Sequence, residues 1–182
     1  MKLPVPLRIL LTATVLTGIT MAPVAVRAQM APDAPPVCAA VDKVVPAPWT
    51  GWTTPEPLQG GANLGAAGKL VVGRTYSAAL SVSPAMSYVV PLPKPAADGS
   101  FAGLFTLSVG AAGTYSIALS EGAWIDVASA AGAALTSVAH SHGPACTTIH
   151  KVVDFALQPG TYVVQISGAQ TSPVVIEVAA KG

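Results

Sequence analysis

Residues 139–150, which read AHSHGPACTTIH, contain all three histidines of the chain and one of its two cysteines. Imidazole and thiolate groups are common ligands of zinc and copper, so this cluster raises the question of a metal site. On an extended strand, residues i and i+2 point to the same side, which would let His140 and His142 bind one ion. The Gly-Pro step that follows permits a turn that could bring His150 beside them. Three neutral imidazoles in this arrangement would suit Zn or Cu.

The cysteine in this cluster has a competing structural role. Cys38 and Cys146 are the two cysteines of the chain, and two cysteines in an exported protein most simply form one disulfide. In the chain-entropy model, closing a loop of this length, about 108 residues, stabilises the fold by roughly 4–5 kcal/mol. A metal-ligating Cys146 would leave Cys38 as an orphan thiol. We therefore prefer a disulfide-tethered turn whose histidines hydrogen-bond exposed backbone groups.

Residues 1–28 indicate export. They have a short basic start, an apolar run from Ile9 to about Ala22, and small residues before a cleavage site near Ala28–Gln29, which is the layout of a secretory signal peptide. The apolar run is shorter than the roughly 20 residues needed to cross a bilayer. The sequence thus predicts a periplasmic or secreted protein with no membrane span after signal removal.

Charge and composition narrow the class of protein further. Removing the signal takes three of the 9 Lys and Arg residues, and the rest face 8 Asp and Glu. No cluster of basic residues remains, which argues against nucleic-acid binding. Charged residues make up 9% of the chain, against roughly 25% in globular proteins. A surface built from Ser, Thr and small apolar residues suits sheets better than solvated helices.

The segment from residue 29 to residue 68 is rich in proline and glycine. Proline removes a backbone donor and fixes φ, so neither a helix nor a central strand can run through this segment. We predict an irregular extended arm along the domain, tethered by Cys38 and anchored by Trp49 and Trp52.

After residue 68 the apolar pattern has a period of two, which is typical of strands with one face in a core. Residues 105–109 and 115–120 alternate in this way and are joined by GAAG, and residues 153–157 and 162–166 are joined by QPG. These turn signals predict two antiparallel hairpins. Further strands are predicted at Lys69–Val72, Tyr76–Val82, Ser87–Leu92, Ala123–Ser129, Leu135–His140 and Val174–Ala179. The predicted fold of residues 69–182 is an antiparallel β-sandwich, jelly-roll-like in its strand spacing.

One element, L-x-x-G-x-Y, recurs in this pattern, within Leu107–Ser120 at a looser spacing and again within Leu157–Ser167. The second copy resembles a hairpin of the pre-peptidase C-terminal domain, a small β-sandwich appended to secreted bacterial enzymes. The resemblance implies a fold and no activity.

A second resemblance covers most of the mature chain. GAWIDV at 122–127, residues 140–168, and the group of Cys38, Gly51 and Trp52 resemble a family of short exported bacterial proteins of unassigned role. Some members of that family are labelled homogentisate 1,2-dioxygenase. Such dioxygenases are larger cytosolic cupin-type enzymes that hold iron with two histidines and a carboxylate, whereas here a single His-x-His pair echoes that ligand set.

Three further residues are candidates for a ligand-facing surface. Asp126 and Asp154 lie on the polar phase of their strands, where they could assist a metal or a ligand or serve as surface carboxylates. Trp124 shares the outward phase with Asp126, and an exposed Trp could stack on a sugar ring or a peptide. Alternatively, the arm covers Trp124, which we prefer because it would explain why the arm exists.

Other catalytic signatures are missing from the sequence. There is no G-x-S-x-G elbow and no phosphate-binding glycine loop, so no catalytic residue is assigned. The predicted function is a non-catalytic binding, accessory or structural role, with an unknown ligand or protein partner in the cell envelope and no cofactor. The alternative is a periplasmic Zn- or Cu-binding protein or metalloenzyme, including a dioxygenase-type activity, that uses His140, His142 and His150.

Overall fold

The computed structural model describes residues 37–182. The predicted signal peptide, its cleavage site and the first residues of the arm lie outside this range. The described chain is all-β, which confirms the predicted fold class. Its strands are β1 (Glu56–Gln59), β2 (Gly68–Leu70), β3 (Thr75–Ala79), β4 (Ser81–Val82), β5 (Phe101–Val109), β6 (Gly113–Leu119), β7 (Trp124–Ser129), β8 (Ala134–Leu135), β9 (Ala139–Ser141), β10 (Lys151–Leu157), β11 (Gly160–Ala169) and β12 (Val174–Ala180). Short 3-10 turns occur at Leu64–Ala66 and Ser83–Ala85.

The strands form two mixed sheets that pack face to face as a β-sandwich. Sheet A has the order β1-β3-β12-β6-β10-β9, and sheet B has the order β2-β5-β11-β7-β8, with β4 also paired to β5. The β1–β3 and β2–β5 pairs are parallel, and the other pairs are antiparallel. None of the helical segments in residues 37–182 has the length and apolar character needed to cross a membrane.

The core lies between the two sheets, and it consists of the apolar residues that the predicted alternation places on the inner faces. Phe105 and Leu107 on β5 are fully buried and pack against Ile117 and Leu119 on β6. Phe155 on β10 belongs to the same cluster. Burying side chains of this size stabilises a fold by about 1.5–3 kcal/mol each, so the period-two pattern is what holds the two sheets together.

Both predicted hairpins are wrong, because the strands on either side of each turn belong to different sheets. The GAAG segment carries the chain from β5 in sheet B to β6 in sheet A, and Gln158–Gly160 carries it back from β10 in sheet A to β11 in sheet B. In each crossing a tyrosine hydroxyl donates to the carbonyl four residues earlier: Tyr115 to Ala111 and Tyr162 to Gln158, both at 2.9 Å. The repeated L-x-x-G-x-Y element is therefore a tyrosine tie across the edge of the sandwich.

Three further predicted strands also differ from the structure. Residues 76–82 divide between β3 in sheet A and β4 in sheet B, and residues 135–140 divide between β8 in sheet B and β9 in sheet A. Residues 87–92 form no strand. They lie over the outer face of sheet B, where Val90 is buried against Leu104 and Val163. Alternation alone therefore does not show where a chain changes sheets.

The outer face of sheet A is covered by the described part of the arm. Trp49 and Trp52 are 5% and 2% exposed and pack on Ile149 and Val152, so they are the anchors that the sequence predicted. The only strand in this part of the arm, β1, lies at the edge of sheet A, where proline is tolerated.

Five ties fix the arm to the loop before β10. Cys38 and Cys146 lie at disulfide distance, with Cα atoms 5.4 Å apart, as predicted. The Asp42 amide donates to the Cys146 carbonyl at 2.9 Å, and the Asp42 carboxylate accepts from the amide and the hydroxyl of Thr148 at 2.7 and 2.5 Å. The Trp52 indole donates to the same Thr148 hydroxyl at 2.9 Å. These ties hold the part of the arm from Cys38 to Trp52 on sheet A, whereas the end of the arm reaches sheet B at the bridge between Gly61 and Leu104.

Candidate functional site

Trp124 at the start of β7 is the large aromatic side chain that the structure leaves open. Ile125 and Val127 point into the core, so Trp124 points outward from sheet B, and it is 57% exposed. The preferred prediction that the arm covers Trp124 is wrong for the described residues 37–68, because Trp49 and Trp52 pack on sheet A and Gly61 bridges to Leu104 of β5. An indole held outward on a paired strand is a rigid apolar surface open to solvent.

A lysine on a strand of sheet A, the facing sheet, approaches this indole. Lys151, the first residue of β10, places Nζ 5.1 Å from the centroid of the Trp124 ring. The same ammonium donates to the Ala123 carbonyl at 2.9 Å, which fixes its position. Such cation–π contacts contribute about 0.5–1 kcal/mol at exposed sites, and they also place a positive charge beside the ring.

Trp124 borders a cavity of about 200 Å³ between β7, the end of β11 and the segment 92–97. Ser167 lies opposite Trp124 in the strand register and lines this cavity. Ser167 is 2% exposed. Gln170 and the exposed Lys94 complete the polar lining. The cavity therefore combines one aromatic face with several hydrogen-bonding groups and a free cation.

The outer wall of this cavity is held in place by a buried amide. Gln165 is fully buried, and its carbonyl accepts from the amides of Val89 and Val90 at 2.9 and 3.0 Å. Its NH₂ group donates to the Val90 carbonyl at 2.9 Å. This pairing imitates a strand ladder and holds the segment that leads into residues 92–97. The cavity thus lies between two well-anchored elements.

Asp126 lies on the same outward face as Trp124 and is half-buried. Its carboxylate is 3.5 Å from the NH₂ group of Gln165. Burial raises the pKa of Asp126 above its ordinary value, and the Gln165 hydrogen bond and the charge of Lys151 offset part of that rise. Burial also lowers the pKa of Lys151, which Asp126 partly opposes. Asp126 does not line the Trp124 cavity, and its link to the site is its charge, which favours the ammonium form of Lys151.

The three histidines line a neighbouring depression of about 370 Å³, together with Lys151 and Gly122. The rings of His142 and His150 meet edge to face with centroids 6.0 Å apart. Nδ1 of His142 lies 3.3 Å from the His150 carbonyl, and since a carbonyl only accepts, Nδ1–H is the donor. All three side chains are exposed. The three histidines therefore share one surface, and the His142 contact with a backbone carbonyl is of the kind that the loop interpretation expected.

The metal site that the sequence suggested is not assembled. Nowhere in residues 37–182 are three or more His, Cys, Asp or Glu side chains grouped so that they could hold a metal ion. His140 pairs in register with the inward-facing Val153, whereas Asp154 lies on the opposite phase of β10. Cys146 is at disulfide distance from Cys38. The three histidines thus share a depression with no carboxylate or thiolate in its lining, and the disulfide takes Cys146 out of the donor set.

Asp154 belongs to a different surface from Trp124 and Asp126. It is 5% exposed on the outer face of sheet A, where it accepts from the Ser116 hydroxyl and from the Lys181 ammonium, both at 2.7 Å. It lines a cavity of about 610 Å³ beneath the arm, which also contacts Trp49. Since both of its oxygens already have partners, Asp154 links β10 to β6 and to Lys181 after β12.

Sequence reasoning missed Lys151, Ser167, Gln170 and Lys94. Lys151 carried a signal, because a lysine in the inward phase of an apolar strand must send its ammonium out at the end of the sandwich. The other three become neighbours of Trp124 only through the pairing of β7 with β11 and the path of residues 92–97. Those relations are tertiary and leave no local pattern.

The chain matches no protein-family model, and no curated protein is significantly similar to it. The two resemblances found in the sequence therefore stay predictions. The functional argument accordingly rests on the geometry around Trp124.

Proposed function

We propose that this protein is an exported, non-catalytic carbohydrate-binding protein in which Trp124 is the stacking platform. The observation that carries the proposal is the contrast among its three tryptophans. Two are nearly fully buried, whereas Trp124 is 57% exposed at the mouth of a cavity. An indole in this position offers a flat apolar face to the C–H groups of a sugar ring.

The lining of the cavity supplies the second half of sugar recognition. Hydroxyl groups of a saccharide need hydrogen-bond partners once they leave water, since an unpaired polar group is costly to bury. The Ser167 hydroxyl and the Gln170 amide both line the cavity beside the indole. A space of about 200 Å³ is smaller than the roughly 300–1,000 Å³ pockets that hold drug-sized ligands. It suits a single ring.

The same lining supports a binding role over hydrolysis. Glycoside hydrolases need two carboxyl groups on either side of the scissile bond. The residues that line the Trp124 cavity include neither Asp nor Glu. Strand-borne platforms also lose little conformational freedom on binding, which favours recognition without a moving lid. The sugar would be bound and released unchanged.

Export is supported by the pairing of the two cysteines. Cys38 and Cys146 lie at disulfide distance, and such bonds persist mainly in oxidising compartments. A saccharide of the cell envelope or of the surroundings would then be accessible to the protein. This placement agrees with the leader predicted at residues 1–28.

Native affinity electrophoresis tests the proposal directly. The full protein is run through gels that contain a neutral glucan, a galactomannan, a chitosan or a polygalacturonate, and its mobility is compared with that in a gel without polymer. We expect retardation by at least one polymer, which Trp124→Ala abolishes. Leu64→Ala is the matched control, because Leu64 is 45% exposed and lies in a separate 3-10 turn.

A fluorescence experiment identifies the tryptophan involved. Since Trp49 and Trp52 are buried, acrylamide should quench mainly Trp124. Addition of the retarding polymer should protect this emission from quenching. The proposal is wrong if no polymer retards the protein, or if Trp124→Ala is retarded as strongly as the parent protein.

A further inference from the structure

We infer that the saccharide is acidic and occupies two adjoining sites, with one ring on Trp124 and a neighbouring uronate carboxylate in the histidine depression. This inference rests on the proposed function and names its substrate class. It is carried by the charges around the two depressions and by their shared border.

The basic side chains that line the two depressions are two lysines and the three histidines. Lys94 is exposed in the wall of the Trp124 cavity and has no ion-pair partner in the described part of the chain. Lys151 and the three histidines line the second depression. No carboxylate lines either one. A chain with 9 Lys and Arg in total has placed two of them, and every histidine, at this surface.

Two carboxylates near the site, those of Glu121 and Asp126, are held by hydrogen bonds to other groups. Glu121 accepts from the backbone amides of Gln170 and Thr171 at 2.9 and 3.2 Å and from the Thr171 hydroxyl at 3.0 Å. Asp126 is half-buried beside Gln165 and outside both linings. Neither carboxylate forms an ion pair with Lys94. The surface around Lys94 therefore favours the binding of an anion.

Gly122 joins the two depressions into one surface. It lines both of them, and a Cβ at this position would stand 3.3 Å from Nε2 of His150. Lys151 lies on the same border, with its ammonium against the Trp124 ring and its side chain in the histidine depression. A ring stacked on Trp124 thus places its next sugar beside Lys151. A carboxylate there would meet an ammonium and imidazoles, which form the stronger, charge-assisted hydrogen bonds.

A nucleic acid would fit the exposed indole and the few positive side chains of this surface less well. Its backbone carries a phosphate at every residue and is usually matched by a basic stripe. This chain has two lysines at the site, and the rest of its charge is balanced or acidic. A short uronate saccharide carries its carboxylate on the sugar ring itself, so it needs only the lysines and histidines that line the two depressions.

The test compares one polymer backbone with and without its charge. Binding of the full protein to polygalacturonate is measured by isothermal titration calorimetry beside fully methyl-esterified polygalacturonate, in which every carboxylate is masked. We expect at least tenfold tighter binding to the free acid, weakened by added salt. Tri-galacturonate should bind better than the monomer, because the inference requires two adjacent rings.

Two charge variants separate the site from general electrostatics. Lys94→Gln and Lys151→Gln should each weaken acid binding by about three- to tenfold, whereas Lys69→Gln, an exposed lysine on β2, should leave it unchanged. Lys94 lies in an exposed loop, so its replacement leaves the folded sandwich intact. Iodide should quench Trp124 more strongly than caesium in the parent protein, and this preference should fall in Lys151→Gln.

The outcomes distinguish the inference from the proposed function. Equal, Trp124-dependent binding of both polymers overturns the acidic class and leaves carbohydrate binding in place. If Trp124→Ala leaves the binding of the free acid unchanged, both the acidic class and carbohydrate binding through Trp124 are overturned, because the protein would bind the polymer by charge alone. Equal or tighter binding of a ten-residue oligothymidylate overturns the acidic saccharide in favour of a nucleic acid.

Discussion

The two outer faces of the sandwich differ in how far their tryptophan side chains are exposed. On sheet A the arm lies over the strands, and Trp49 and Trp52 are 5% and 2% exposed. On sheet B the covering segment ends near residue 97, and Trp124 is 57% exposed. The same side chain is therefore a packing anchor on one face and a recognition surface on the other. What decides its role is whether another part of the chain lies over it.

The difference follows from how each covering segment is fastened. The arm is fixed by Cys38, Asp42 and Trp52, all of which contact residues 146–149. The segment over sheet B is fixed at residues 89 and 90 by Gln165. Gln165 lies on β11, the strand that pairs with the Trp124 strand β7. Its next residues form the wall of the cavity, and they do not close it.

The largest expected effect separates the two faces by stability. Replacing Trp52 with Ala removes a nearly fully buried indole and its 2.9 Å hydrogen bond to Thr148. Large-to-small changes of this kind cost about 3–5 kcal/mol. We expect Trp52→Ala to lower the free energy of unfolding by that amount, measured by guanidinium denaturation followed by circular dichroism.

Trp124→Ala is the matched comparison, since it removes the same side chain from the open face. Exposed substitutions usually change stability by less than about 0.5 kcal/mol, and loss of the Lys151 contact adds about 0.5–1 kcal/mol at most. A loss near that of Trp52→Ala would contradict the contrast, because it would make Trp124 a packing residue.

A smaller effect is expected from the hydrogen bonds that hold the arm. Asp42→Ala leaves the amide and hydroxyl of Thr148 without their acceptor at a position open to water, so we expect a loss of about 0.5–1.5 kcal/mol, the usual net contribution of a hydrogen bond. Asp42 also has a φ of 56°, a region that Asn tolerates better than most residues. Asp42→Asn should therefore fall between the parent protein and Asp42→Ala in urea denaturation. An unchanged midpoint in Asp42→Ala would show that the disulfide and Trp52 alone hold the arm.

The core was predictable from the sequence because alternation is a local property. Phe105, Leu107 and Ile117 face inward as their spacing required, and Trp49 and Trp52 are buried because a proline-rich arm needs apolar anchors. The disulfide pairing also followed, since two cysteines allow one pairing. These features depend on residue type and chain position.

The topology and the site were not predictable in the same way. Gly110–Gly113 and Gln158–Gly160 signal a reversal of the chain, and a reversal looks alike whether the next strand joins the same sheet or the facing one. The cover over Trp124 was predicted from the arm's existence, but the arm is bound to sheet A by Thr148, a residue without any distinctive pattern. Ser167 joins Trp124 through the pairing of β11 with β7, and Lys151 reaches Trp124 from the facing sheet.

The smallest expected effect uses a carboxylate that the arm helps to bury. Glu177 is 1% exposed on the outer phase of β12, and the Thr75 hydroxyl donates to it at 2.6 Å. The backbone of Gly51 approaches so closely that a Cβ there would stand 2.8 Å from the Thr75 hydroxyl. Burial raises the pKa of Glu177 above its ordinary value of 4.5, although the Thr75 hydrogen bond lowers it in part.

This shift predicts the direction of a pH dependence. The folded state holds the Glu177 proton more tightly than the unfolded state does, so this residue's contribution to stability is present below about pH 4.5 and is lost as the pH rises through the raised pKa. Glu177→Gln should flatten that decline between pH 4.5 and 8, measured as the slope of unfolding free energy against pH. Glu56→Gln, at an exposed ion pair with Arg74, is the control and should keep the parent slope over this range. A parent slope retained in Glu177→Gln would mean that water reaches the carboxylate, and that the arm shields sheet A less completely than its two buried tryptophans imply.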